Sequence, residues 1–540
     1  MTDAALVWYV FALVFLVHAL PLCVGEWEFI TSFDDGFNFV NNDMIKELSF
    51  SNLGSMASTV ILNVYEPLAW LLKAMVHALW GMDSRYVRLV SLALHWSALA
   101  IWSQVTKRLL DHLYVDAPSI MECSIAAVLY GVHPVHVEVT MWPSAQSYSL
   151  AMFFTAICFW AYIHPAWASY KTIAAGAYLC AVLSKSIALF VPVGLVMIDL
   201  VVGRVHFNAK PTEYLGYFRG LSLFLVIFVF MVIITIKANQ GGVELVDVIS
   251  LTLSERIAKM FLVFLSPLQT LVWPVGLRLH YRVREVDLDV SSNADVLLSV
   301  AATFMISLSL LLWRRKLFAV WIYYIVMLLP VSGLVQHGMV SLTADRYAYF
   351  PTVVFIPMSA LCLRRWHIAQ VVLVFALLLG LTLQQMQHWR REEDLWLYCI
   401  KQDQADWRML DQLAQYYSKL ERETEATLLI EQSLWFGPHR GLKAQLFQAK
   451  HKLLLDLKDE SCKIYNTLAI EFPQSYQVLN NHAVCQLIQG EPHVARAILE
   501  AAVTLQRLHD SESSIPLENL RQVDDYLSKK QSDYEVGFVW

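Results

Sequence analysis

Residues 368–394 read IAQVVLVFALLLGLTLQQMQHWRREED, an apolar run followed at once by charged residues. The run is long enough for a helix that crosses a bilayer, which needs about 20 residues. After residue 390 the composition becomes that of a soluble helical protein. We therefore predict an all-α chain with a membrane domain over residues 1–390 and a soluble domain over residues 391–540.

The composition of the whole chain agrees with a large membrane domain. The 540 residues are 57% hydrophobic and 16% charged, whereas soluble proteins average about a quarter charged residues. The eight cysteines are scattered with no CxxC pair, which argues against zinc-ribbon and thioredoxin-type chemistry. We expect no nucleic acid among the partners.

Several apolar stretches are candidates for crossing the membrane. They are residues 5–24, 86–105, 120–137, 146–163, 170–184, 187–203, 217–237, 255–274, 295–313, 317–335, 348–363 and 368–386. Alternate joints carry basic residues, such as the run Arg314-Arg315-Lys316, and the positive-inside rule places those joints in the cytoplasm. The charges are consistent only if one stretch does not cross, so we predict about 11 crossings.

The stretch that does not cross is 255–274, which we predict to be a re-entrant or interfacial hairpin broken at Ser266-Pro267 and at Trp273-Pro274. The N-terminus is then cytoplasmic, and the loop 25–85 lies on the outer side together with the soluble domain. The membrane is that of the endoplasmic reticulum if the cell is eukaryotic and the inner membrane if it is bacterial.

The soluble domain has a sequence period of about 34–36 residues, typical of tetratricopeptide repeats. The predicted helix-turn-helix units are residues 406–439, 440–474 and 475–510. Small residues such as Ala483, Gly490 and Ala495 let antiparallel helices pack closely. An unspecialised helical bundle is the alternative. A tetratricopeptide-like α-solenoid would offer a groove for a peptide or protein partner.

Two adjacent carboxylates, Asp34 and Asp35, follow the first apolar stretch and lie between Phe33 and Gly36. A carboxylate near the membrane surface can deprotonate a hydroxyl nucleophile or bind a metal. An Asp-Gly turn in an exposed loop is the other interpretation.

His133 and His136, spaced i,i+3, and then Glu138 end the third stretch on the outer side. Two histidines on one helix face can bind a metal, but no third strong ligand is obvious. Hydrogen bonding at a helix end is the alternative. We expect no metal and no cofactor.

Cations collect on the side that we predict to be outside, which favours an anion-binding site. A lipid-linked phosphate is the natural ligand there, and snorkelling of the arginines at the interface is the alternative. These cations are Lys185, Arg278, Arg282, Arg284 and Arg346, the last directly after Asp345.

Several short motifs occur in a fixed order. They are Phe33-Asp34-Asp35, Tyr65-Glu66-Pro67-Leu68, the run HPVHVE at 133–138, Leu183-Ser184-Lys185, Trp273-Pro274, Leu329-Pro330, Ala344-Asp345-Arg346-Tyr347 and Tyr349-Phe350-Pro351. With these motifs the chain resembles the transmembrane and tetratricopeptide-repeat O-mannosyltransferases and their bacterial relatives, which have the GT-C glycosyltransferase fold. The resemblance covers nearly the whole chain.

The resemblance implies an inverting transfer of a sugar, mannose in that family, from a polyprenyl-phosphate donor to a Ser or Thr hydroxyl of a protein acceptor. It implies that Asp34 is the general base and that Asp35 orients either this base or the acceptor. The implied donor-binding residues are His133, His136, Glu138, Lys185 and Arg346, with Asp345 fixing Arg346. Arg278 and Arg282 are candidate phosphate contacts from their charge and predicted side alone.

The chain departs from the family after Trp142. There the family has an Arg-Lys-Asp-like stretch, whereas the residues from Pro143 to Tyr148 carry no charge. This difference leaves open another sugar or an inactive protein. The alternative function is therefore a non-catalytic scaffold or receptor that binds an exported partner through its repeats. A transporter is disfavoured, because the ionisable residues cluster at the outer face and not at mid-membrane.

Overall fold

The computed structural model describes residues 3–164, 167–206, 211–240, 251–283, 288, 293–335, 341–437, 442–508, 514–528 and 536–538. Among these residues the protein is all-helical and has no β-strand. The chain divides into two compact units, Met1–Gln402 and Asp403–Trp540. Arg284 lies outside the described residues.

Unit 1 contains the apolar helices, and its longer connections carry short 3₁₀ turns. Its α-helices are α1 Asp3–Ala19, α2 Phe50–Ser58, α3 Pro67–Trp80, α4 Ser84–Leu113, α5 Ile120–Gly131, α6 Val137–Met141, α7 Gln146–Tyr162, α8 Trp167–Ser184, α9 Val191–Val202, α10 Pro211–Gly220, α11 Ser222–Gln240, α12 Leu253–Val272, α13 Ala294–Trp313, α14 Arg315–Leu328, α15 Phe355–Leu363, α16 Ile368–His388 and α17 Glu392–Gln402.

The described helices include five that are long and apolar enough to cross a membrane, so this is a membrane protein. They are Ala5–Cys23, Ser84–Leu113, Ala294–Trp313, Asp345–Leu363 and Ile368–His388. A sixth span is formed if Ile120–Gly131 and Pro134–Met141, which meet at a 60° bend, cross together. Helices at other predicted stretches are shorter or less apolar, and the count of eleven crossings stays a prediction.

The predicted hairpin at 255–274 is one helix, Leu253–Val272, with Pro267 inside it, so the break expected at Pro267 is wrong. A proline in a helix removes one backbone hydrogen bond. Here the helix continues through Pro267 because its neighbours are packed in a hydrophobic cluster. The Tyr324 hydroxyl on α14 donates to the Phe264 carbonyl at 2.8 Å, which connects this helix to α14.

In unit 2 each helix packs against the next one along the chain. The helices are α18 Trp407–Lys419, α19 Glu423–Phe436, α20 Leu442–Leu454, α21 Lys458–Glu471, α22 Tyr476–Ile488, α23 Pro492–Leu508 and α24 Ile515–Leu527. Each predicted repeat thus contains one helix pair, while the tetratricopeptide assignment itself stays a prediction. A disulfide between Cys462 and Cys485, whose Cα atoms are 5.4 Å apart, joins α21 to α22.

Candidate active site

The first segment of the loop 25–85, which follows α1, is held in place by a buried arginine. Arg88 on α4 is fully buried, and its guanidinium donates to three main-chain carbonyls. Its Nε donates to Met141 at 2.7 Å, and its Nη2 donates to Glu28 at 2.7 Å and to Trp389 at 3.1 Å. One side chain therefore connects the loop to α4, to α6 and to the end of α16.

A second fastening comes from Glu392, at the start of α17. Its buried carboxylate accepts hydrogen bonds from the main-chain N–H groups of Thr31 at 2.8 Å and Ser32 at 2.7 Å, and from the Thr31 hydroxyl at 3.1 Å. The chain then turns so closely that a Cβ at Gly36 would lie 2.7 Å from the Thr31 carbonyl oxygen. Only glycine fits there, and the two aspartates come directly before it.

Asp35 is the anchored member of the pair and is fully buried. Its carboxylate accepts hydrogen bonds from the main-chain N–H of Ile30 at 2.8 Å and from that of Ser144 at 2.9 Å. It also accepts one from the Ser144 hydroxyl. Burial raises the pKa of Asp35 to about 6, against the opposing effect of these hydrogen bonds. Its position fits the orienting role that the resemblance implies.

Asp34 is the member that stays available. It is partly exposed, and none of the described residues donates a hydrogen bond to its carboxylate. Burial raises the pKa of Asp34, while the positive charges of Arg346 and Lys185 act in the opposite direction. An unbonded carboxylate within the field of two cations is suited to accept a proton.

Lys185 is held by Glu66, a residue without an assigned role in the sequence prediction. The buried Glu66 carboxylate lies 2.8 Å from Lys185 Nζ and 3.1 Å from Lys73 Nζ. Lys73 is itself buried, lies 3.7 Å from the centre of the Trp70 ring and donates to Asn38 at 3.3 Å. One carboxylate thus faces two ammonium groups, which leaves an excess of positive charge near Asp34.

Arg346 is held by Glu138. The Glu138 carboxylate pairs with the guanidinium and also accepts the main-chain N–H of Arg346 at 2.8 Å. Asp345, which by resemblance would fix Arg346, accepts a hydrogen bond from Tyr281 at 2.6 Å and also lies within the field of the Arg346 charge. The two adjacent residues lie on a 3₁₀ turn, where neighbouring side chains point about 120° apart.

The two candidate phosphate contacts differ in what surrounds them. The Arg278 guanidinium lies 4.8 Å from the centre of the Tyr281 ring, and its Nε is buried with no hydrogen-bond partner among the described residues. The Tyr281 hydroxyl and the main chain of Arg278 both donate hydrogen bonds to the carboxylate of Asp345, the residue before Arg346. Arg282 is partly exposed.

The histidines pack away from the carboxylate pair. His133 accepts the N–H of Val135 at 3.3 Å and its Nε2 lies 3.1 Å from the Leu271 carbonyl oxygen, so it caps a helix end. His136 is buried, with ring centres 4.3 Å from Tyr130 and 5.3 Å from Tyr349. In the described part of the chain, no group of three or more His, Cys, Asp or Glu residues could hold a metal.

Sequence reasoning missed the supporting residues. Ser144 lies in the uncharged stretch that departs from the family, and it is this serine that holds Asp35. Lys73 interrupts an apolar run, which is a signal that we did not use. Glu392 and Arg88 are ordinary charges in helices, and nothing local marks them as loop anchors.

Comparison with protein-family models and with curated protein sequences finds no match for the chain. The interpretation of the site therefore depends on its geometry and on the motif resemblance.

Proposed function

We propose that the protein is a GT-C-like membrane glycosyltransferase. It moves a sugar, mannose by resemblance, from a polyprenyl-phosphate donor to a Ser or Thr hydroxyl of a protein acceptor. The observation that carries this proposal is the grouping of one unbonded carboxylate, Asp34, with two cations, Lys185 and Arg346. The cations are positioned by Glu66 and Glu138.

The proposed reaction is a single displacement. The acceptor oxygen attacks the anomeric carbon while its proton passes to the Asp34 carboxylate. The bond between the anomeric carbon and the phosphate oxygen breaks, and its electron pair leaves with the polyprenyl phosphate. Lys185 and Arg346 stabilise the charge that develops on that phosphate, and Arg278 offers a further N–H donor. Asp35 fixes the loop that carries Asp34.

The proposal includes a topology with about 11 crossings, a cytoplasmic N-terminus and a tetratricopeptide-like unit on the outer side. The disulfide between Cys462 and Cys485 supports the outer location of unit 2, because disulfides persist in the endoplasmic reticulum lumen and the periplasm and are rare in the cytosol. The lumen and the periplasm are also where polyprenyl-linked sugars are used by the family that the chain resembles.

The test is sugar transfer by the purified protein in proteoliposomes. A labelled polyprenyl-phosphate mannose is the donor, and glycopeptide mass spectrometry is the readout. We expect Asp34→Asn to lower the rate by about 100-fold or more, the usual contribution of a general base. Asp43→Asn is the matched control, because Asp43 is an exposed aspartate of the same loop, paired with Lys46.

Equal transfer by Asp34→Asn and the wild type would remove Asp34 from the mechanism. The second candidate function is a non-catalytic scaffold or receptor that binds an exported partner through unit 2. It is favoured by the absence of charge from Pro143 to Tyr148. Absence of transfer by the wild type with several polyprenyl-phosphate sugars, together with a partner retained by unit 2, would support that function.

A further inference from the structure

A short extended segment of unit 2, Val536-Gly537-Phe538, lies against the helices of the same unit. The Gly537 carbonyl accepts from the side-chain amide of Asn519 at 2.6 Å and from that of Asn480 at 3.1 Å. The Gly537 N–H donates to Asn519 Oδ1 at 2.8 Å. Asn519 on α24 thus binds both polar groups of one residue's backbone.

The residues that bind the backbone of Gly537 form a preorganised set. Asn480 and Asn481 are fully buried and Asn519 is 2% exposed. Asn519 donates to Asn480 at 2.9 Å, Asn480 donates to Asn481 at 3.1 Å, and Asn481 donates to the Tyr465 hydroxyl at 3.3 Å. Buried amides need hydrogen-bond partners. For Asn519 Oδ1 that partner is the N–H of Gly537. We call Tyr465, Asn480, Asn481, Ile515 and Asn519 the asparagine slot.

The side chains on either side of Gly537 also pack against the helices of unit 2. Phe538 packs on the buried Tyr465, with ring centres 5.9 Å apart, and joins a hydrophobic cluster of α20, α21 and α22. Val536 packs against a second cluster, formed by α22, α23 and α24. A Cβ on Gly537 would lie 3.4 Å from Ile515 Cγ2, an ordinary contact distance, so glycine or alanine fits at this position.

We infer that the asparagine slot is a binding site for an extended peptide with the pattern apolar, glycine or alanine, aromatic, and that residues 536–538 are its resident ligand. A partner with the same pattern binds by displacing them. Main-chain hydrogen bonds supply affinity and the two flanking pockets supply selectivity, which is the division of labour in extended-peptide recognition. This site does not depend on the proposed sugar transfer.

The probe for this site is a fluorescent peptide with the sequence of residues 533–540, DYEVGFVW, measured by anisotropy against the purified full chain. A segment attached to its own site competes at an effective concentration of about a millimolar. We therefore expect the wild type to bind the probe at least about tenfold more weakly than a chain ending at Ser528. The same probe carrying Phe538→Ala should bind the shortened chain at least about tenfold more weakly.

A second variant tests the same site without shortening the chain. Full-length Phe538→Ala removes one side chain from the resident segment and should also gain binding of the probe. Ile470→Ala is the control, because Ile470 is an exposed side chain on α21, and it should bind the probe as the wild type does. The inference is overturned if both test variants, folded by circular dichroism, bind the probe no better than the wild type. It is also overturned if the altered probe binds as well as the original.

Discussion

Glu66 is the residue whose removal tests the electrostatic arrangement of the site most directly. Its side chain is 5% exposed, and it faces the ammonium groups of Lys73, 0% exposed, and Lys185, 17% exposed. In the variant Glu66→Gln the volume and one oxygen acceptor remain, but the negative charge is lost. Two lysines are then left without their carboxylate, one of them fully buried.

The expected cost follows from this burial. Removing one partner of a buried ion pair costs about 3–5 kcal/mol, because the remaining charge is left uncompensated. The amide oxygen of glutamine still accepts a hydrogen bond, so we expect the lower end of that range, about 3 kcal/mol. The lysines also repel each other without Glu66, which should shift Lys185 and weaken binding of the donor phosphate.

The assay is equilibrium unfolding of the solubilised protein in mixed micelles of increasing SDS content, followed by tryptophan fluorescence. The matched control is Asp83→Asn. Asp83 pairs with Arg85 at the surface, with side chains 26% and 47% exposed, and such pairs contribute about 0–1 kcal/mol. Asparagine also keeps the helix cap that Asp83 provides. If Glu66→Gln loses no more stability than Asp83→Asn, the reasoning about the buried pair is wrong.

Three further predictions concern the base, the loop and unit 2. Because burial raises the pKa of Asp34 above the usual 3.8 and the reaction needs the ionised form, transfer should fall on acidification with a midpoint above pH 3.8; a pH–rate profile with its midpoint at or below that value would contradict this. Glu392→Ala removes the acceptor of the hydrogen bonds from Thr31 and Ser32 and should speed amide hydrogen exchange at these two residues, measured by mass spectrometry. Unchanged exchange would show that the loop is held otherwise. Replacing Cys462 and Cys485 by serine removes a disulfide that closes a loop with a sequence separation of 23. The change should destabilise unit 2 by about 3 kcal/mol, measured as a lower thermal midpoint. Alkylation of the denatured, unreduced wild type should modify six cysteines and not eight.

The membrane character of the chain could be predicted from sequence because hydropathy is a local property. The composition changes near residue 390, and helices occur where apolar runs predicted them. The predicted break at Pro267 failed for a tertiary reason. A proline weakens an isolated helix, but hydrophobic packing around Val263 and Phe264 keeps this one continuous.

The residues of the candidate site were likewise predicted only in part. Sequence alone singled out Asp34, Asp35, Lys185 and Arg346, since paired carboxylates and isolated cations near apolar stretches are costly to place without a use. Their sequence neighbours did not reveal which residue holds each of them.

Only the tertiary structure decided those partners. Ser144 holds Asp35 across 109 positions, Glu138 holds Arg346 across 208, and Glu392 holds Thr31 across 361. Such pairs depend on which helices pack together, and no local pattern encodes that choice. Arg346 shows the consequence, because its ion pair is with Glu138, although Asp345 is its neighbour in sequence. The sequence thus supplied the reactive groups, and long-range packing determined which of them is anchored and which is left available.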